Sequence, residues 1–388
     1  MEPVNIVGVG MTQFGILEES IVEIAQGAAF EAMEDASVLE STIDHLFVGV
    51  QNPDEFVGQG HLSTQLSDYL GIVPAGATRV ETGPSSGSSA FESAFTMVAA
   101  GMADLVLVVG VEKMSQVDQR TASKILAKML SYENEIQYGA TPSALAALMA
   151  RRYMHDYSLT RDELSLIPVK AHRNGAKNPL AHFQKEVSIE KVSNSRIVAD
   201  PLRLYDCCAT SDGAAALVVA SDKAVRDHGL SDSAIRVIGV GHGTDYFSVQ
   251  HRSSLTSMDA TRVAAKRAYT MAGITSDDVD VCEIHDAFSI LELINMEDLG
   301  FAEKGQAINI VKDGITEVSG GRPVNPSGGL KARGHPTGGT GVAQIRDIVQ
   351  QLRGRAPKGL QVADPKIGLT HNIGGFGNNM VVSLFSCV

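Results

Sequence analysis

Three histidines occupy segments of this chain where side chains could do chemistry: His285 in EIHDAF, His335 in NPSGGLKARGHPTGGTG and His371 in HNIGGFG. Imidazole exchanges protons near neutral pH, so each could act as a base, an acid or a hydrogen-bond donor. Each follows a strand-like run or lies in a glycine-rich loop, where an α/β sheet presents functional groups. Alone, any one of them is more often structural than catalytic; three together point to a site. The glycines around His335 let backbone approach a ligand and offer N–H groups, and Lys331 and Arg333 add positive charge. A helix expected over Val342 to Leu352 would turn its positive end toward the same loop, which suits an anionic substrate. The loop lacks the Lys and Ser/Thr spacing of a phosphate-cradling P-loop. Cys207, Cys208, Cys282 and Cys387 form no CxxC pair and no zinc-finger spacing, so no metal site is expected.

The elements that must position these residues read as α/β. VNIVGVG is a buried strand, and small and apolar residues at helical spacing predict a helix from about Ser20 to Ala36. Its GxG, Gly8 and Gly10, lacks the third glycine of a dinucleotide-binding turn. Two distant stretches, Ala32 to Val50 and Ala268 to Asp286, match without a gap. Ala32, Ala36, Val38, Ile43 and Asp44 align with Ala268, Ala272, Ile274, Val279 and Asp280, which suggests an internal duplication. A small-residue helix starts near Ser86 and leads to a strand at Leu105 to Val111, whose counterpart is expected near Ile367 to Thr370. Between them, residues of about 116–200 have no repeat partner and are rich in helix formers and basic residues, which reads as an inserted helical subdomain. The expected halves are 1–225, including the insertion, and 230–388. DCCATSDGAAAL reads as strand and core, with Ser211 to Ser221 closing the first half.

With 388 residues the chain is long enough for two cores. A formal charge of −13 argues against a nucleic-acid binder, which needs clustered Lys and Arg. No stretch approaches the roughly 20 apolar residues that span a bilayer, and the start lacks a signal-peptide pattern, so a cytoplasmic location is expected.

The motifs resemble those of the thiolase superfamily. NPSGGLKARGHPTGGTG is similar to its signature, EIHDAF to the HDAF or HDCF element of its sterol-carrier-protein-type and archaeal branches, and HNIGGFG to its C-terminal glycine-rich loop. GATPSALAALMARRYM and DPLRLYDCCATSDGAAALVV also resemble archaeal acetoacetyl-CoA thiolases. The resemblance covers nearly the whole chain. It implies a five-layered αβαβα sandwich of two duplicated halves, a coenzyme A thioester as substrate with no other cofactor, and a homodimer, with residues from Ser85 to Ala90 as the contact region. A small zinc-ribbon and OB-fold (DUF35) protein is a further implied partner. It implies His335 as the base, His285 as a donor to the thioester oxygen, His371 as a proton-moving group, and Asn325 with Gly374 or Gly375 as supports for a water or an oxyanion.

One position departs from the family. Its nucleophilic cysteine lies in a VExxCASG segment, which reads VETGPSSG here, with Pro84 at the cysteine position. Ser85 or Ser86 could take over as acyl carrier, although serines before a helix are also ordinary caps. Without a covalent intermediate, the chain could run an aldol-type cleavage of a β-hydroxyacyl-CoA or a direct Claisen-type reaction on a β-ketoacyl-CoA, needing only a base and enolate stabilisation. Steroid side-chain aldolases of this fold are a precedent, although they use tyrosines where this chain has His285. The remaining readings are a catalytically silent acyl-CoA-binding subunit, and Cys207 or Cys208 reaching the site.

Overall fold

The computed structural model describes residues 2–387. The first half runs β1 (Val4–Met11), α1 (Ile21–Ala36), β2 (His45–Gly49), α2 (Pro53–Phe56), α3 (Leu62–Tyr69), β3 (Gly76–Val80), α4 (Ser86–Ala99) and β4 (Leu105–Glu112). A mostly helical excursion follows: α5 (Gln119–Ala127), α6 (Pro142–Tyr157), α7 (Arg161–Gly175), α8 (Ile189–Ser193) and the short pair β5 (Ile197–Ala199) and β6 (Leu202–Arg203). The chain then returns through β7 (Gly213–Ser221) and α9 (Asp222–His228). The second half comprises β8 (Ile235–Thr244), α10 (Asp259–Ala272), β9 (Val281–Ile284), α11 (Ser289–Asp298), α12 (Ala307–Lys312), α13 (Gly329–Ala332), α14 (Thr337–Leu352), β10 (Ile367–Gly374) and β11 (Asn379–Cys387).

The strands form one sheet in the order β3-β2-β4-β7-β1-β8-β11-β10-β9. Read outward from its middle, β1-β7-β4-β2 is matched by β8-β11-β10-β9. In the first half β2 runs parallel to both β3 and β4, in the second β9 runs parallel to β10, and the remaining pairings within each half are antiparallel. The expectation was two packed sheets. Here they are continuous through a short contact in which Asn5 and Ile6 face Arg236 and Ile235.

The duplication extends to single residues. Asp44 donates its backbone N–H to Leu105, and its carboxylate accepts the N–H groups of Asp104 and Leu105; Asp280 does the same with Ile367 and with Lys366 and Ile367. The glycines of β1 and β8 serve one purpose in both halves. A Cβ on Gly8 or Gly10 would lie 2.1 or 2.2 Å from the carbonyl oxygens of Ala32 or Ala28 in α1; on Gly239 or Gly241 it would lie 2.4 or 2.0 Å from those of Ala268 or Ala264 in α10. Close helix-on-strand packing, rather than a nucleotide, accounts for the GxG.

Helices α1 and α10 cover the outer faces, whereas α4 and α14 pack on each other between the half-sheets, with α14 touching β4 and β7 on one side and β9 and β10 on the other. These are the five layers. The middle one is closed by Phe91, Val98, Val342, Ile345 and Ile348 against Val108, Leu217, Val381 and Phe385. The α4 and α14 backbones meet so closely that a Cβ on Gly87 would lie 2.6 Å from the Gly338 oxygen.

Three local expectations change. Helix α14 begins at Thr337, five residues before the expected start at Val342, because Pro336 at its N-cap introduces a turn whose glycines are tolerated by packing. Ser85 to Ala90, the expected contact region of a homodimer, is buried but not a strand: Ser86 onward forms the first turns of α4. Cys207 to Asp212 is irregular, and strand geometry starts only at Gly213. No described helix is long and apolar enough to cross a membrane.

Candidate active site

Four segments converge where the half-sheets meet the inserted helices: the turn before α4, the end of β9, the loop before α14 and the end of β10. They enclose a cavity of about 290 Å³ with Pro84, His285, His335 and Gly375 on its wall. Met114, Leu126, Met129, Met258, Phe288 and Phe376 make the rest of it largely apolar. His285 and His335 are 2% and 7% exposed, and their rings stand perpendicular with centroids 5.0 Å apart.

Their neighbours impose opposite tautomers. Nδ1 of His285 lies 3.2 Å from the backbone nitrogen of Ile373, which can only donate, and 3.0 Å from Nδ2 of Asn372. Nδ1 therefore accepts, and the proton resides on Nε2. For His335 the partner is the Thr340 hydroxyl, 2.6 Å from Nδ1. That hydroxyl gives its hydrogen to the Pro336 carbonyl at 2.8 Å, so Nδ1 of His335 must be the donor and Nε2 keeps its lone pair. One ring is set up to donate and the other to accept a proton. Burial lowers both pKa values, that of His335 to about 3 with help from Arg333; His285 falls well below the usual range through burial and then the neighbouring His335 and His371. Both rings stay neutral at physiological pH.

The other expected site residues fall elsewhere. His371, on β10, is fully buried away from the cavity; its Nε2 meets Thr261 Oγ1 at 3.0 Å, and burial lowers its pKa to about 3. Ser86 donates to the Gly83 carbonyl and accepts the Thr82 N–H, and Ser85 is engaged by Thr82 at 2.9 Å. Neither hydroxyl lines the cavity, because both close the turn that leads into α4. Asn325 adopts φ +54° and donates Nδ2 to Glu292, itself paired with Lys170 at 2.6 Å. It braces the loop instead of facing the cavity. Arg333 is fully buried against Asp347 at 2.6 Å, with Glu283 at 3.8 Å, and Lys331 donates to the Asp206 carbonyl. Gly374 packs beneath Ser85, where a Cβ would lie 2.2 Å from its hydroxyl oxygen.

Sequence reasoning undervalued two features. Cys207 and Cys208, read as core, line the cavity because their irregular segment forms its wall. Burial raises their pKa values to about 11 and 12, so both remain protonated thiols. Thr340 and Asn372, which help orient the two histidines, carried no distinguishing motif; Thr340 meets His335 only because α14 starts at Thr337 and puts Thr340 in its first turn. Among the described residues no group of three or more His, Cys, Asp or Glu is placed to hold a metal ion.

Comparison with known proteins agrees with this fold. Residues 4–223 match the family model described as the thiolase N-terminal domain, and residues 241–387 match the thiolase C-terminal domain-like model. An acetyl-CoA acetyltransferase of Methanothermobacter thermautotrophicus is 42% identical over the full length of both chains. Sterol carrier protein 2 of Bos taurus is 36% identical, covering 98% of this chain and 72% of its own. A solved structure titled Ltp2-ChsH2(DUF35) aldolase superposes with a TM-score of 0.85 at 27% identity, covering 98% of this chain and 97% of that one. With both halves matched in order and a relative of this identity along its whole length, the chain belongs to the thiolase superfamily.

Proposed function

We propose that this chain makes and breaks carbon–carbon bonds of acyl-CoA compounds without an acyl-enzyme, by aldol-type chemistry on a β-hydroxyacyl-CoA. The observation that carries this is a wall on which the histidine pair supplies a base and a hydrogen-bond donor while Pro84 stands where the family's nucleophilic cysteine would be. Pro84 has no attacking atom and, lacking a backbone N–H, also removes a donor from that wall. The neighbouring serine hydroxyls are held in the turn, and the two cavity thiols are protonated.

In the cleavage direction Nε2 of His335 takes the β-hydroxyl proton, and the bond between the α and β carbons breaks as the β carbon becomes a carbonyl. The electron pair passes into a thioester enolate. The Nε2–H of His285 hydrogen-bonds the enolate oxygen, where negative charge develops. The His335 imidazolium then returns its proton to the α carbon, leaving an aldehyde or ketone and a shortened acyl-CoA. No free coenzyme A is consumed.

The aldolase likeness supports this reading, whereas the 42% identity to an acetyl-CoA acetyltransferase favours a second one. There the same base activates coenzyme A for direct attack on a β-ketoacyl-CoA. Incubating the chain with β-hydroxyacyl-CoA and β-ketoacyl-CoA esters, with and without free coenzyme A, separates them by mass spectrometry of the products. Carbonyl release without coenzyme A supports the aldolase; turnover of the β-keto ester that requires coenzyme A supports acyl transfer. Binding with neither reaction would leave a silent acyl-CoA-binding subunit. The neighbour is named as an Ltp2-ChsH2(DUF35) aldolase, which supports including a zinc-ribbon and OB-fold partner in the same assay; a homodimer is proposed alongside it.

Two further results are expected. His285→Ala lowers kcat about 10²- to 10³-fold, the usual effect of removing one oxyanion donor, while acyl-CoA affinity changes little. An equal loss of affinity would assign His285 to binding instead. The pH profile of kcat/KM should be flat on its acid side from pH 7 down to about pH 5. Protonation would disable His335, and a pKa lowered to about 3 keeps it in the base form throughout that range. A base titrating at the ordinary histidine value would cost about 30-fold by pH 5. Such a fall, with the circular dichroism spectrum unchanged, would count against a neutral buried base.

A further inference from the structure

The proposed chemistry specifies the reacting carbons and leaves open what they carry. The wall around His285 and His335 bears on that. Among the described residues that line its about 290 Å³, none is Lys, Arg, Asp or Glu. The two histidines do not supply the missing charge, because burial keeps both rings neutral. A second carboxylate on the acyl group would enter with no counter-charge, and an unpaired buried carboxylate is costly to desolvate.

Helix α5 shows that the absence comes from how the chain faces, not from a lack of cations nearby. It is followed by Lys128 and carries Arg120 and Lys124, all three exposed, and none of them lines this cavity. Lys128 pairs with Glu55 instead. Gln119, Ser123 and Leu126 fall on the cavity face by their helical spacing, and Met129 joins them just past the helix end. That face changes character along its length. Gln119 accepts the Thr210 hydroxyl at 3.4 Å, and the Thr210 backbone bridges to that of His335, so the polar end adjoins the base. Leu126 and Met129 form the apolar end. Met258, Phe288 and Phe376 extend the apolar lining from the second half, with the two phenylalanine rings 6.4 Å apart. Methionine and aromatic side chains suit a hydrocarbon of irregular outline.

The α5 wall also stands apart from the sheet. Ala122 and Ile125 on its other side pack with Phe56 and Met114 in a small cluster separate from the larger cores. Substitutions on its cavity face should therefore leave the sheet intact.

We infer that the acyl group is an uncharged hydrocarbon larger than acetyl, and that Leu126 and Met129 on the α5 wall select it. An acetyl group would leave this apolar surface uncovered, and an acyl group ending in a carboxylate would bury its charge unpaired. The inference deepens the proposed function and rests on it for the place of the thioester, beside His285 and His335.

The test is calorimetric titration of the full chain with acetyl-CoA, octanoyl-CoA and glutaryl-CoA at physiological salt. It is run on the parent, on Leu126→Ala/Met129→Ala and on Leu126→Arg. Octanoyl-CoA should bind the parent at least about tenfold tighter than acetyl-CoA, since each covered methylene contributes up to about fourfold, and glutaryl-CoA should bind no tighter than acetyl-CoA. The double-alanine variant should lower the octanoyl-to-acetyl preference about fivefold or more. Leu126→Arg supplies a counter-charge and should raise glutaryl-CoA affinity relative to octanoyl-CoA about tenfold. Octanoyl-CoA no tighter than acetyl-CoA, glutaryl-CoA as tight as octanoyl-CoA on the parent, preferences untouched by the substitutions, or no binding of any ester would overturn the inference. Ala and Arg both favour a helix, and thermal scans verify that the variants fold. Turnover of the matching β-hydroxyacyl-CoA esters is measured in parallel. The expected binding order without carbon–carbon cleavage would count against the proposed reaction and leave the acyl-group inference standing; cleavage without that order would do the reverse.

Discussion

His335→Ala should lower kcat/KM about 10²- to 10⁴-fold, the range that a positioned general base contributes, whichever carbon–carbon reaction the chain runs. The Nε2 lone pair of His335 is fixed by its neighbours: the Nδ1–H donates to the Thr340 hydroxyl, which in turn donates to the Pro336 carbonyl. The loss should appear in kcat, with acyl-CoA binding by calorimetry nearly unchanged, because the proton moves only as the bond breaks. Thr340→Val tests the cause. It keeps the shape and removes the partner that fixes the tautomer, so it should reproduce part of the loss without disturbing binding. Full activity in His335→Ala would remove the base from this site.

Arg333→Ala should destabilise the protein by about 3–5 kcal/mol, the cost of stripping one partner from a buried ion pair. The guanidinium is 0% exposed, bonds Asp347 at 2.6 Å and lies 3.8 Å from Glu283, which burial already pushes toward its protonated form. Without Arg333 the Asp347 and Glu283 carboxylates face each other with less compensation beneath the signature loop. The expected readout is a large drop in the denaturant midpoint, with the KM for acyl-CoA in the protein that remains folded changing less than about threefold. The opposite pattern, an unchanged midpoint and a raised KM, would restore Arg333 to the substrate-binding role that its place in the loop first suggested.

Residues adjacent in sequence have separated in role here because of the direction in which the backbone turns. GLKARGHP was read as one basic, glycine-rich loop aimed at an anion. In the fold, Gly329–Ala332 form a short helix whose Leu330 N–H donates to Asp286; Lys331 and Arg333 turn into the protein, and only His335 reaches the catalytic cavity. The same separation applies to PSS, where Pro84 faces the cavity while the serines on either side of the helix start close the turn.

What the sequence by itself determined was the architecture and the chemical parts. Strand and helix periods, the duplicated Asp44 and Asp280 and the buried runs at Val4 and Leu105 specify elements through short-range rules, and these appear where expected. The three histidines and the missing cysteine were legible because they are deviations in residue type. Only the tertiary structure decided which of those parts meet. It put His285 beside His335, set their tautomers through Ile373 and Thr340, moved His371 and Asn325 behind the wall, and brought the tandem cysteines onto it. The physical reason is that orientation and burial depend on partners far away in the chain. Ile373 is 88 residues from His285, and no local pattern at either position records that contact.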